Sequence, residues 1–171
     1  KANLEKIPQL RPAFAEGGTI TPANSSSISD GASALLLASE SAMQTHGLTA
    51  RARIVAHSRN SLAPEAFTLA PIGATEQVLA KAGWSTSDVD LWEINEAFAM
   101  VTMLTMRAFD LDPACVNVHG GACAQGHPVG STGSRIIVTL MHALKRYGKK
   151  RGVAALCIGG GEATAVAIEL I

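Results

Sequence analysis

The stretch Gly120-Gly121-Ala122-Cys123-Ala124-Gln125-Gly126-His127-Pro128-Val129-Gly130-Ser131-Thr132-Gly133-Ser134-Arg135 constrains the fold more than any other part of the chain. Pro128 disfavours the α conformation at His127, and Gly126 and Gly130 let the backbone turn tightly on either side of the ring. From Ser131 to Tyr147 the apolar residues Ile136, Ile137, Leu140, Met141 and Leu144 recur at helical spacing, and Gly148 closes the run. One imidazole is therefore expected on a glycine-bracketed loop that opens into a helix. The amides and dipole of that helix start favour an anion or a developing oxyanion near the ring. Taken alone, the segment also reads as a structural turn.

The remaining elements follow from periodicity and punctuation. Residues 1–30 are rich in Gly, Pro, Ser and Thr without a sustained period and read as an ordered loop or lid. Asp30 is placed to cap a helix over Ala32–His46, with Leu35, Leu36, Ala38, Ala42 and Met43 on its buried side and Gly47 as terminator. Arg53–Ala56 reads as a short strand. Pro71 starts a helix whose stripe of Ile72, Thr75, Val78 and Leu79 stops at Gly83. Ser85 and Asp88 mark a turn, Val89–Ile94 a strand, and Ala97–Phe109 a helix. Cys115–Val118 is expected as a strand leading into the glycine loop. Val153–Ile158 and Thr164–Leu170 flank Gly159-Gly160-Gly161 and read as a final antiparallel pair. This order predicts an α/β fold of layered helices around a mixed five-stranded sheet.

With 171 residues and 47% hydrophobic content the chain is long enough for one full core. Fourteen basic and fourteen acidic residues cancel, without a basic stripe interleaved with aromatics, which argues against nucleic acid as a partner. The apolar runs fall short of the ~20 residues of a membrane span, and no signal peptide is visible, so neither a membrane nor export is expected. Cys115, Cys123 and Cys157 are odd in number and lack paired metal or redox spacing, so reduced thiols and no metal site are expected. The chain opens at Lys1 in a mixed polar run and reads as part of something longer.

Three segments place a reactive or strongly polar side chain beside small neighbours, each after an expected strand, where ligands gather in open α/β sheets. The first is Asn95-Glu96-Ala97-Phe98. Asn95 has the chemistry to hold a water or a carbonyl, although at a strand-to-helix junction it reads more readily as a cap. The second is the His127 loop. The third is Cys157-Ile158-Gly159-Gly160-Gly161, where a thiol that would pass for core packing meets three glycines whose amides leave room for an oxyanion.

Together these segments resemble the thiolase family, whose C-terminal half carries Asn-Glu-Ala-Phe, Gly-His-Pro and Cys-x-Gly-Gly-Gly motifs in this order. The resemblance extends to Leu10-Arg11-Pro12-Ala13-Phe14, to Asn24-Ser25-Ser26 with Asp30-Gly31-Ala32, to Lys81-Ala82-Gly83-Trp84, and to Ile168-Glu169 near the last residue. It implies a thiolase-like C-terminal domain over residues 31–171, preceded by the tail of the coenzyme A-binding loop region over 1–30, with the N-terminal half absent. It implies acyl transfer between acyl-CoA and CoA: thiolysis of a 3-ketoacyl-CoA, or Claisen condensation of acetyl-CoA, through a cysteine acyl-enzyme. Coenzyme A enters as substrate and no cofactor is bound covalently.

By motif, His127 would activate the nucleophilic cysteine and help hold the thioester oxyanion. Asn95 would fix a water completing that site, Cys157 would be the second acid/base, and the amide of Gly159 would stabilise the acyl-enzyme oxyanion. Ser26 matches a pantetheine contact, and Phe14, Ala97 and Phe98 match the apolar tunnel lining. The nucleophile would lie in the N-terminal half, since neither Cys115 nor Cys123 fits its motif, and Cys123 is read as packing. The resemblance further implies a homodimer or homotetramer at full length, a place in fatty acid metabolism, and a chain that is inactive alone. The absence of targeting signals adds a cytoplasmic location.

Departures from the family pattern are Pro22-Ala23 before the coenzyme loop's Asn24 and Glu162-Ala163-Thr164 after the triple glycine. The first alters loop stiffness, and the second sets a carboxylate near the acyl site. Two other readings stand beside this one. A condensing enzyme of the ketoacyl-synthase or hydroxymethylglutaryl type shares the doubled α/β architecture, and a non-catalytic CoA-binding or scaffold domain would need none of Asn95, His127 and Cys157 in particular.

Overall fold

The computed structural model describes residues 3–171. Its centre is a mixed sheet of four strands, β1 (Ala52–Ser61), β2 (Leu91–Ile94), β3 (Arg151–Cys157) and β4 (Glu162–Leu170), in the order β1-β4-β3-β2. β2 and β3 run parallel, whereas β3 with β4 and β4 with β1 are antiparallel. The glycine turn forms the expected hairpin: Gly161 lies at φ 104° and donates its amide to the Ile158 carbonyl.

Strand alternation builds two cores. Val153 and Ala155 of β3, with Trp92 and Ile94 of β2, face helix α2 (Ala70–Ala82), which buries Ala70, Ala74, Val78 and Leu79. The intervening Ala154 and Leu91 face the helix Thr132–Arg146, which buries Ile136, Leu140, Ala143 and Leu144. The molecule is thus a three-layer α/β unit. Gly47 and Gly83 cap the short helix α1 (Glu40–His46) and α2 in the left-handed region, as their positions predict. Ser85 and Asp88 form a capping box at the expected turn.

Four expectations are corrected. The sheet has four strands because Cys115–Val118 is not one. Asp112 caps a 3₁₀ turn over Pro113–Cys115, Val116 makes a single parallel bridge to Trp92, and Asn117 then enters the left-handed region at φ 46°. The helix predicted over Ala32–His46 is confined to α1, capped by Ser39 and not by Asp30. Upstream, the chain is extended. Gly31 lies so close to Pro128 that a Cβ would meet its ring at 2.8 Å, and the Ser33 hydroxyl bonds those of Ser131 and Ser134 at 2.7 and 2.6 Å. Those ties hold the backbone straight and leave Leu36 and Leu37 exposed. Helix α3 spans Ala99–Phe109, two residues later than predicted, because Ala97 and Phe98 are drawn into contacts with the Ser25-Ser26 segment. The first strand has ten residues where four were expected, since all of β4 is available to pair with it.

Candidate active site

His127 follows the one-turn helix α4 (Ala122–Gln125) and precedes α5 (Thr132–Arg146). Gly126 carries the chain between them at φ 95°, where a side chain would also strike the Ser29 hydroxyl. The His127 amide donates to the Ser27 carbonyl at 2.8 Å, and His127 forms a parallel bridge with Ile28. The half-buried ring reaches through Nδ1 to the Thr132 hydroxyl at 2.7 Å. Burial first, and the positive Arg135 second, hold its pKa below the ordinary histidine value, which keeps the imidazole neutral at neutral pH.

The Asn-Glu-Ala-Phe segment sits against the same serine run. The Ser26 amide and hydroxyl both donate to the Ala97 carbonyl, at 3.1 and 2.9 Å, so the hydroxyl remains only an acceptor toward a ligand. Phe98 lies edge-to-face with Phe14, 5.6 Å between centroids, and beside Phe67 at 6.3 Å. Phe14 is largely exposed, so this aromatic wall is open on one side.

Asn95 is fully buried and continues the β2 alternation that points Leu91 and Glu93 toward α5. Its amide donates to the Ala155 carbonyl. Its Oδ1 accepts from the Arg135 guanidinium at 3.3 Å, while its Nδ2, also buried, has no partner among the described residues. Such an orphaned donor fits a residue whose partner is a water or a ligand.

Glu93 faces the same guanidinium at 3.7 Å, too long for a good hydrogen bond, and its Oε1 has no donor among the described residues. Burial therefore outweighs the attraction of Arg135, and with the repulsion of Glu96 the Glu93 pKa is pushed up to about 7. The unfolded chain releases this proton near 4.5 and the fold keeps it to about 7, so across that window the folded state binds more protons and stability falls as pH rises. Glu93→Gln should remove this contribution. Melting temperatures of the two proteins between pH 4.5 and 7.5 are expected to diverge in favour of the variant as pH rises; parallel curves would exclude the shift.

Glu96 ties the loops together. Its carboxylate accepts from the Cys123 amide at 3.0 Å and from the Asn117 side chain at 3.2 Å. Burial and Glu96 push the Cys123 thiol up to about 11, and its sulfur lies 3.8 Å from the Glu96 carbonyl oxygen.

Cys157 ends β3, buried, and burial raises its thiol pKa. The pairing of Ile94 with Ala155 sets Asn95 just after β2 and Cys157 at the last position of β3, at the carboxyl ends of neighbouring parallel strands. No hydrogen bond joins Cys157 to His127 or Asn95 among the described residues. Gly159 is exposed with open space where a side chain would begin, so its backbone is approachable. Glu162 folds back over Gly160.

The structure thus knits together Ser26, Ala97, Phe98, Phe14 and His127, joins Asn95 to them through α5, and leaves Cys157 at the carboxyl end of the inner strand β3 and Gly159 in the turn that follows. Thr132, Arg135, Glu93 and the loop-tying role of Glu96 had escaped sequence reasoning. A lone acid inside the apolar strand Leu91-Trp92-Glu93-Ile94 was the available signal. Among the described residues no cluster of His, Cys, Asp and Glu is arranged to hold a metal ion, and no helix is long and apolar enough to cross a membrane.

Comparison with known proteins follows the same lines. The family model for the thiolase C-terminal domain matches residues 48–170, and that for the thiolase N-terminal domain matches residues 1–41. The chain is similar to the cytosolic acetyl-CoA acetyltransferase of Mus musculus, 48% identical over 170 residues that make up 98% of this chain and 43% of the relative. Among solved structures it resembles the Bacillus anthracis acetyl-CoA acetyltransferase, with a TM-score of 0.93 and 43% identity over 98% of this chain and 42% of that one. It also resembles human mitochondrial 3-ketoacyl-CoA thiolase in complex with CoA, with a TM-score of 0.92 and 40% identity over 100% of this chain and 43% of that one. The chain spans less than half the length of these relatives.

Proposed function

Since this chain belongs to the thiolase family, we infer that it carries the histidine half of an acyl-transfer site, completed by a nucleophilic cysteine on a thiolase N-terminal half. The observation that carries this reading is the His127 loop, whose backbone is fastened to the serine run that also holds the Asn-Glu-Ala-Phe segment. In this reading residues 1–30 are the tail of the coenzyme A loop region and residues 31–171 the catalytic domain. The exposed Leu36 and Leu37 mark a face toward the other half.

The substrates are acyl-CoA and coenzyme A. In thiolysis, His127 takes the nucleophile's proton, and the thiolate attacks the 3-keto carbon. Asn95 Nδ2 with its water, and then the Gly159 amide, offset the negative charge that develops on oxygen. The Cα–Cβ bond breaks, and the electron pair leaves as the enolate of acetyl-CoA. Cys157, kept protonated by burial, gives that enolate its proton. A CoA thiol then gives its proton to the Cys157 thiolate and attacks the acyl-enzyme, and the expelled cysteine thiolate takes back the proton held on His127. Phe14, Ala97 and Phe98 line the pantetheine path, and Ser26 accepts a hydrogen bond from it. The assembled protein is a homodimer or homotetramer acting in the cytoplasm within fatty acid metabolism.

Cys157→Ala, made in the protein completed with its N-terminal half, separates the steps. Cleavage of acetoacetyl-CoA should fall by roughly 10²–10⁴-fold, the usual worth of a positioned acid or base, while exchange of acetyl groups between acetyl-CoA and labelled CoA falls much less. Equal loss of both activities would remove Cys157 from the carbon–carbon step.

A further inference from the structure

We propose that Thr132 is a positioning residue that fixes the tautomer of His127, holding the ring proton on Nδ1 and leaving the Nε2 lone pair as the base. This inference rests on the acyl-transfer reading for its consequence, though not for its structural content. Thr132 opens α5 and is fully buried. Its hydroxyl lies 2.7 Å from His127 Nδ1 and 3.0 Å from the Pro128 carbonyl oxygen.

A hydroxyl has one proton to give and accepts through its lone pairs, whereas a neutral imidazole has one donor and one acceptor nitrogen. The carbonyl is purely an acceptor, so the contact with Pro128 uses the Thr132 proton. The Thr132 oxygen is then an acceptor toward the ring, and Nδ1 must be the nitrogen that carries hydrogen. The Pro128 carbonyl also accepts the Ser131 and Thr132 amides, at 2.8 and 2.9 Å, which pins it over the first turn of α5. The relay Nδ1–H to Thr132 Oγ1 to Pro128 oxygen thus closes within six residues of chain. Among the described residues Nε2 has no hydrogen-bond partner. The charged group acting on the ring is Arg135, one turn further along α5, which opposes a second proton. When Nε2 takes the nucleophile's proton, the imidazolium that forms keeps Nδ1–H on Thr132, so no reorientation accompanies the step.

The tautomer is read directly by long-range 15N–1H correlation on the 171-residue chain with labelled histidine, and catalysis is read in the protein completed with its N-terminal half. The wild type is expected to show a protonated Nδ1 and a bare Nε2 at neutral pH. Thr132→Val keeps the shape and removes the acceptor, so the Nδ1–H signature should vanish. In the completed protein kcat should fall on the order of 10²-fold with a much smaller change in KM, the scale of a misplaced catalytic group. Thr132→Ser should restore both the signature and most of the rate. A wild-type ring protonated on Nε2, or a Thr132→Val ring still protonated on Nδ1 in a folded chain, overturns the proposal. A completed protein without acyl transfer but with the expected signatures would overturn the functional reading and leave the tautomer assignment standing.

Discussion

His127→Ala in the protein completed with its N-terminal half is expected to lower thiolysis of acetoacetyl-CoA by roughly 10²–10⁴-fold, mainly through kcat. In the proposed function the ring receives the nucleophile's proton, and its backbone is fixed independently by the bond to Ser27, so truncation should remove that chemistry and leave the loop. The same geometry predicts a pH signature. Burial and Arg135 lower the His127 pKa, and the base is active when neutral. The acid limb of kcat/KM should therefore fall at a pH below the ~6.5 of an ordinary histidine. A limb at or above that value would mean that the ring is better solvated than the structure shows. If His127 and Cys157 act in one reaction sequence, as proposed, the double substitution should cost far less than the product of the two single losses.

Gly121→Ala is expected to damage the fold itself. A Cβ at this position would land on the Glu96 carboxyl, which is held in place by the Cys123 amide and the Asn117 side chain. Either the His127 loop moves or the carboxylate loses its donors, and overpacking together with a broken charge-assisted hydrogen bond costs at least about 3 kcal/mol. For a domain of this size that is a fall in melting temperature on the order of 10 °C, measured by calorimetry or circular dichroism. Glu96→Ala removes the obstacle, so the double variant should be less destabilised than the sum of the two singles. Additive losses would show that the close approach is not what requires glycine at 121.

Much of this fold was legible where chemistry at the chain ends of an element is local. Gly47 and Gly83 stop helices because the left-handed conformation suits them, Pro71 starts α2, and the triple glycine makes the β3–β4 turn. The run from Ala32 to Ala38 was misread because its spacing satisfies a helix. What holds it straight is supplied from nearly a hundred residues away, by Pro128, Ser131 and Ser134. Cys115–Val118 has the composition of a strand, yet Asp112 and Pro113 set a 3₁₀ turn that takes in Cys115.

The candidate site divides in the same way. His127, Asn95 and Cys157 stand out because each interrupts a glycine-rich or apolar stretch with a reactive group. Arg135 and Glu93 act from across the helix–sheet interface, and no local pattern ties a guanidinium on α5 to an amide after β2; Thr132 acts locally, from the first turn of α5, five residues after His127. The lone acid in β2 was the visible hint, since a buried carboxylate needs a partner somewhere.

In the proposed function this chain supplies half of a shared site. Coenzyme A-dependent cleavage of acetoacetyl-CoA, measured side by side for the 171-residue chain and for the same chain completed with its N-terminal half, tests it most directly. Turnover in the completed protein alone, abolished there by His127→Ala, is the predicted result. Turnover by the 171-residue chain itself would place the nucleophile on one of its own three cysteines and contradict the account.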